Sequence, residues 1–198
     1  MNKTEIVRFF DRCAPDWDAG LVRKEDIIDE ILDRGGIRAG IDVLDVACGT
    51  GVLFPDYLKR GVHHITAIDI SPEMVKRAAE KFPNERIEVI CGDVETTEFD
   101  RKFDAAMVYN AFPHFPDPKR LVEVLASNLK QGGYLTIAHS MSRAQINAHH
   151  SGTASAVSRQ LLEAEQLAEL MSPLFEIDAM ISDNKMYLVT GVKKALCQ

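Results

Sequence analysis

Val43-Leu44-Asp45-Val46-Ala47-Cys48-Gly49-Thr50-Gly51 joins a short, β-rich apolar run to two glycines one residue apart, and the chain then enters Val52-Leu53-Phe54. The run from Ile41 to Val46 reads as a buried strand, and the glycine pair as a tight turn into a helix. Glycine lacks a Cβ, so it accepts positive φ and lets a ligand lie against bare backbone, while the next helix offers free N–H groups. At the carboxyl end of a first parallel strand, such a loop is where doubly wound folds bind nucleotides.

Downstream, the apolar pattern alternates between the two periods. A helix is predicted from Val52 to Arg60, a strand from His64 to Ile68 ending at Asp69, and a helix opened by Ser71-Pro72-Glu73. Serine as cap, proline at the first helical position and an acid in the first turn are a strong start signal. Strands are also predicted at Arg86 to Cys91, leading through Gly92 to Asp93, and at Phe103 to Tyr109, leading to Asn110. Asp117-Pro118 opens a helix with Leu121, Val122, Val124, Leu125 and Leu129 as its stripe and Gly132-Gly133 as its stop, before a fifth strand from Tyr134 to His139. Strict alternation implies parallel strands, right-handed crossovers and an open α/β sheet with helices on both faces.

The flanks differ. Upstream, Thr4 to Arg12 and Arg23 to Arg34 have helical spacing, the first ended by Pro15 and the second by Gly35-Gly36. After His139, residues 140–162 read as an insertion above the sheet, with a helix from Ser142 to about His150 and a connection through Gly152. A helix from Glu163 to Met171 then leads to strands at Phe175 to Ser182 and Met186 to Val192, whose short turn makes them antiparallel.

The chain of 198 residues, 46% hydrophobic and 27% charged, suits one globular domain, and a net charge of -7 disfavours broad nucleic-acid binding in favour of a small molecule. Cys13, Cys48, Cys91 and Cys197 have neither zinc-ligand nor disulfide spacing and read as reduced, mostly buried thiols. The charged start has no signal-peptide core, and no apolar run approaches the roughly twenty residues of a membrane span, so a cytoplasmic protein is expected. A homodimer is compatible with this reading.

Four loops thus emerge from successive carboxyl strand ends, carrying Gly49/Gly51, Asp69, Asp93 and Asn110. Asp69, about 20 residues after Gly49, is placed to accept from both hydroxyls of a ribose. With VLDVACGTG at 43–51, AIDISPEMV at 67–75, CGDVE at 91–95, FDAAMVYNAFPHFPDP at 103–118 and LKQGGYLTIAH at 129–139, nearly the whole chain resembles the class I S-adenosylmethionine-dependent methyltransferases, particularly the branch with the menaquinone and ubiquinone C-methyltransferases.

The resemblance implies a Rossmann-like doubly wound sheet of seven strands in the order 3-2-1-4-5-7-6, the last antiparallel, with residues 1–36 as a helical lid and 140–162 as an insertion over the active site. It implies S-adenosyl-L-methionine as cofactor. Gly49 and Gly51 would close on its methionine and ribose portions, with Asp45 and Ala47 orienting the loop. Asp69 would take the ribose hydroxyls, Ile70 would pack on the adenine, and Asp93 and the Val94 N–H would read the adenine edge. Asn110 would lie near the methionine end and the acceptor, and Trp17 would wall the pocket or else join the core.

A dinucleotide dehydrogenase would need glycine where Phe54 stands. A cofactor-binding regulatory or partner protein without transfer activity is the alternative from another class. For an enzyme, direct displacement of a methyl group demands alignment, and a base only if the acceptor must lose a proton. His114 and His139 are the candidate bases, each with a structural role as its plainer reading. His114, His139 and His149 are also the candidate set for a divalent metal, although no ligand spacing demands one. His149 and His150 would point about 100 degrees apart on a helix, so at most one faces the site. Phe112, Phe115 and Met141 suggest a small-molecule acceptor with an apolar portion. His139-Ser140-Met141-Ser142-Arg143 departs from the quinone enzymes, which leaves the acceptor and the methylated atom open.

Overall fold

A computed structural model describes residues 1–152 and 154–195, so Cys197 lies outside the described residues. Helices α1 (Lys3–Cys13) and α2 (Glu25–Arg34) precede an alternating series: β1 (Asp42–Val46), α3 (Phe54–Lys59), β2 (His64–Asp69), α4 (Pro72–Lys81), β3 (Ile87–Cys91) and β4 (Phe103–Tyr109). Then come α5 (Pro118–Asn128), β5 (Leu129–His139), α6 (Arg143–His150), α7 (Ala164–Met171), β6 (Phe175–Ser182) and β7 (Tyr187–Lys193). The sheet order is β3-β2-β1-β4-β5-β7-β6, with β1 to β5 parallel and β7 antiparallel to both its neighbours.

The period of two in each strand divides the core into two layers. Val43, Ala105 and Met107 face one side with the Ile27, Ile28, Ile31 and Leu32 stripe of α2 and with Phe54 and Tyr57 of α3. Leu44, Val46, Ala106 and Val108 face the other, under α5, α6 and α7. Two of the helix starts are set as their residues require. The Ser71 hydroxyl accepts from the Met74 N–H, the Asp117 carboxylate accepts from the Arg120 N–H, and a proline comes directly after each cap.

Three expectations shift. First, α5 ends at Asn128, short of Gly132-Gly133, because the Asn128 amide turns back to the Val124 carbonyl at 3.0 Å and Leu129 is already extended, opposite Phe103. Gly132 takes positive φ inside the irregular start of β5, where the register with β4 slips before Tyr134 meets Ala105. Second, α2, within the 1–36 expected as a lid, packs Ile27, Ile28, Ile31 and Leu32 into the core. Third, Cys48 is buried but Cys13 is only partly so and Cys91 is exposed. Among the described residues no helix is long and apolar enough to cross a membrane.

Candidate active site

The carboxyl ends of β1 to β5 open into a cavity of about 780 Å³ beneath residues 1–24. Its floor is the turn after β1, where Ala47, Gly49 and Gly51 all have positive φ, at 55, 55 and 82°. Gly51 is required sterically, since a Cβ there would lie 2.6 Å from the Phe54 ring that fills the turn. At Gly49 an added Cβ would meet only Trp17 Nε1, at 3.9 Å, so its backbone lies bare toward the cavity. Ala47 holds a left-handed backbone that costs a residue with a Cβ about 1–2 kcal/mol.

Asp69 governs this turn. One carboxylate oxygen accepts from the Gly49 N–H and the other from the Ser71 N–H, each at 2.9 Å, so one side chain fixes the glycine turn and the start of α4. Burial raises its pKa, and the two N–H groups work against that rise. Asp45, on the strand below, is fully enclosed; burial first, and then Asp69, hold its carboxyl well above the ordinary range. Asp45 and Gly51 stand behind the cavity wall, whereas Ala47, Gly49, Asp69, Ile70, Asp93, Val94 and Asn110 line it.

Asp93 is engaged from α1, because Lys3 Nζ reaches its carboxylate at 2.5 Å and that of Glu95 at 2.7 Å. Further polar links tie residues 1–24 to the rim. Asp11 accepts from the Ser71 hydroxyl at 2.6 Å, Asp18 from Thr50 and Lys81 at 2.6 Å each, and Arg23 pairs with Asp56 at 2.8 Å. Trp17 is 42% exposed and lines the cavity mouth, outside the buried core.

At the other end, the tips of β4 and β5 are knotted together. Asn110, with φ 56°, accepts from the Ser140 N–H at 3.0 Å and donates to its hydroxyl at 3.3 Å, while Lys24 Nζ donates to the Ser140 carbonyl at 2.8 Å. Tyr109 lines the cavity beside this knot. His114 sits on a short 3₁₀ turn, Phe112–His114, with Nδ1 2.9 Å from the Val157 carbonyl. A carbonyl only accepts, so Nδ1 carries the proton and Nε2 keeps its lone pair at the cavity wall. Burial brings the His114 pKa down to about 4.

The other histidines fall differently. His139 does not border the cavity: at the end of β5 the alternation that puts Ser140 on the wall turns His139 against Tyr187, at 6.1 Å between rings, and Nε2 is buried without a partner. His149 lines the cavity and the half-buried His150 packs on His114, so one of the adjacent pair faces the site. The set His114, His139 and His149 does not converge; among the described residues no three His, Cys, Asp or Glu side chains are grouped to hold a metal ion. Lys3, Lys24, Arg23 and Tyr109 were missed by the sequence reading. Only Tyr109, next to Asn110 at a strand end, carried a signal that could have found it.

Comparison with known proteins bears on this geometry. Residues 44–137 match the family described as a methyltransferase domain. Over 141 residues the chain is 32% identical to a malonyl-[acyl-carrier protein] O-methyltransferase of Acetivibrio thermocellus, covering 70% of this chain and 50% of that one. It is 28% identical over 144 residues to a ubiquinone biosynthesis O-methyltransferase of Coxiella burnetii, covering 68% and 61%. The chain thus spans about half the length of several relatives that it matches. The fold superimposes on the N-methyltransferase NodS from Bradyrhizobium japonicum WM9, in complex with S-adenosyl-L-homocysteine, with a TM-score of 0.73 at 14% identity, covering 94% of this chain and 97% of that one.

Proposed function

We propose that this chain, which belongs to the class I S-adenosylmethionine-dependent methyltransferases, transfers a methyl group to a small-molecule acceptor by in-line displacement. The observation that carries the reading is one continuous cavity with two unlike ends: a bare glycine turn held by a buried acid at one, and a tautomer-fixed imidazole at the other. The residues fit the cofactor. Gly49 offers backbone that a Cβ would cover, and Asp69, already oriented by two N–H groups, has lone pairs left to accept from vicinal hydroxyls. Ile70 and the buried Val94 offer apolar surface to a purine, and Asp93 a carboxylate to its amino group.

S-adenosylmethionine, when bound, supplies an electrophilic methyl group on a sulfonium. The chain's own residues then orient and exclude water. Trp17 and residues 1–24 cover the cavity, and the Asn110–Ser140 knot fixes the wall nearest the acceptor. His114 presents a neutral Nε2 that can take a proton from an acceptor hydroxyl. His139, enclosed and off the wall, serves packing against Tyr187 in this reading. The test is transfer of labelled methyl from the cofactor to a panel of apolar acceptors, with His114→Ala compared. Incorporation that falls in the variant while cofactor affinity holds supports the reading. Cofactor binding without transfer to any acceptor would turn it toward the noncatalytic alternative.

A further inference from the structure

The charges along the cavity are sorted by end. Its acids are Asp16, Asp69 and Asp93; Asp69 and Asp93 stand at the glycine-turn end, each already engaged, and Asp16 is exposed on the lid. Its cations are Lys3, Arg12, Arg23 and Lys24. Lys3 pairs with Asp93 and Glu95, and Arg23 with Asp56 and Glu25. Arg12 and Lys24 have no acidic partner among the described residues. The cofactor's amino acid carries one carboxylate, so one of these two cations is left over.

Lys24 is tied to the Ser140 carbonyl, next to Met141 and bonded through Ser140 to Asn110, which puts its ammonium on the acceptor side. An ammonium has three N–H donors, and Ser140 takes one. Around it the mouth is apolar and open to water, with Leu21 44% and Val22 80% exposed. A cation with spare donors beside uncovered apolar surface fits one kind of molecule.

Resting on the methyl-transfer reading above, we propose that the acceptor is an apolar-bodied oxygen acid, a carboxylic acid or an acidic phenol, held through its oxyanion by Lys24 and methylated on that oxygen. The acceptor oxygen forms the O–CH₃ bond as the S–CH₃ bond breaks, the bonding pair staying on sulfur. A carboxylate has no proton to lose, and a phenol gives its proton to His114 Nε2. The low pKa of His114, about 4, agrees with this, since so weak a base serves acidic hydroxyls and not alkyl ones. An ammonium acceptor finds no unengaged acid except exposed Asp16.

The sole tryptophan, Trp17, stands at the mouth and reports occupancy directly. With the protein saturated in S-adenosylhomocysteine, phenylbutanoate, a butyl-substituted tetrafluorophenol and phenylbutylamine are titrated against Trp17 fluorescence. The carboxylate or the phenol binds at least about tenfold more tightly than the amine, the size of one charge-assisted hydrogen bond. Lys24→Met removes that preference and Lys24→Arg retains it. Which acid binds separates the two sources, and alkali-labile methyl ester against stable aryl ether separates them again in turnover. The proposal is overturned by amine binding that equals or exceeds the acids, by a preference that survives Lys24→Met, or by no binding of either acid. Calorimetry of the saturating S-adenosylhomocysteine is read separately: its failure sinks the methyl-transfer reading itself.

Discussion

Replacing His139 with leucine changes how stability depends on pH, by an amount set by the imidazole's burial. Its pKa falls from 6.5 to about 3, through burial first and then the charges of His150 and His114. Below pH 6.5 the unfolded chain binds a proton at this position and the folded chain does not, so stability is lost as pH falls through this window. At about 1.36 kcal/mol per pH unit, ~2 kcal/mol is gone by pH 5 and ~4 kcal/mol by pH 3. His114, with a pKa of about 4, adds a loss of the same sign. Asp45 and Asp69, raised by burial, act oppositely, since their contribution is fullest at low pH and falls as pH rises. Comparing His139→Leu with the parent cancels those shared contributions. At neutral pH the variant relieves a buried Nε2 that lacks a partner, itself costing about 1–3 kcal/mol. Urea unfolding by circular dichroism at pH 7, 6 and 5 measures the difference, which should grow by ~2 kcal/mol in favour of the variant across this range. Parallel stability curves for the two proteins would refute the reasoning.

Ala47→Gly relaxes a left-handed backbone at the head of the cofactor turn; after the entropy of the added glycine the net gain is about 1 kcal/mol or less, read as a rise in thermal midpoint. A lower midpoint would contradict it. Lys3→Met cuts the bridge from α1 to Asp93 and Glu95. Because the Lys3 side chain is 38% exposed, stability changes by less than about 1 kcal/mol, while cofactor release in stopped flow quickens several-fold. With a phenol acceptor, His114→Ala lowers kcat by about 10²-fold or more, with little change in cofactor affinity; equal losses in both would assign His114 to structure.

Most of the frame was legible because it depends on local signals that agree with one another. The cap and proline pairs at Ser71-Pro72 and Asp117-Pro118 start their helices where the sequence places them, and the apolar run of β1 is buried on alternating faces as its composition requires. Gly132-Gly133 misled because a glycine pair marks a break in either element, and here the break lies inside the start of a strand. The cavity wall was legible where the backbone makes it, at Gly49, Asp69 and Asn110, which line it. It was not where distant residues make it. Lys3 and Asp93, or Lys24 and Ser140, meet only in the tertiary fold, and no periodicity relates them. His139 and Ser140 are neighbours in sequence that the strand sends to opposite sides.

The claim on which the account rests is that the glycine turn and Asp69 hold a sulfonium nucleoside. Calorimetric titration of S-adenosylhomocysteine into the protein and into folded Asp69→Ala tests it most directly. Saturable binding at one site is expected, with a loss of about 10- to 100-fold in the variant, the worth of hydrogen bonds to one buried carboxylate. No binding by the parent protein, or equal affinity in the two, would contradict it.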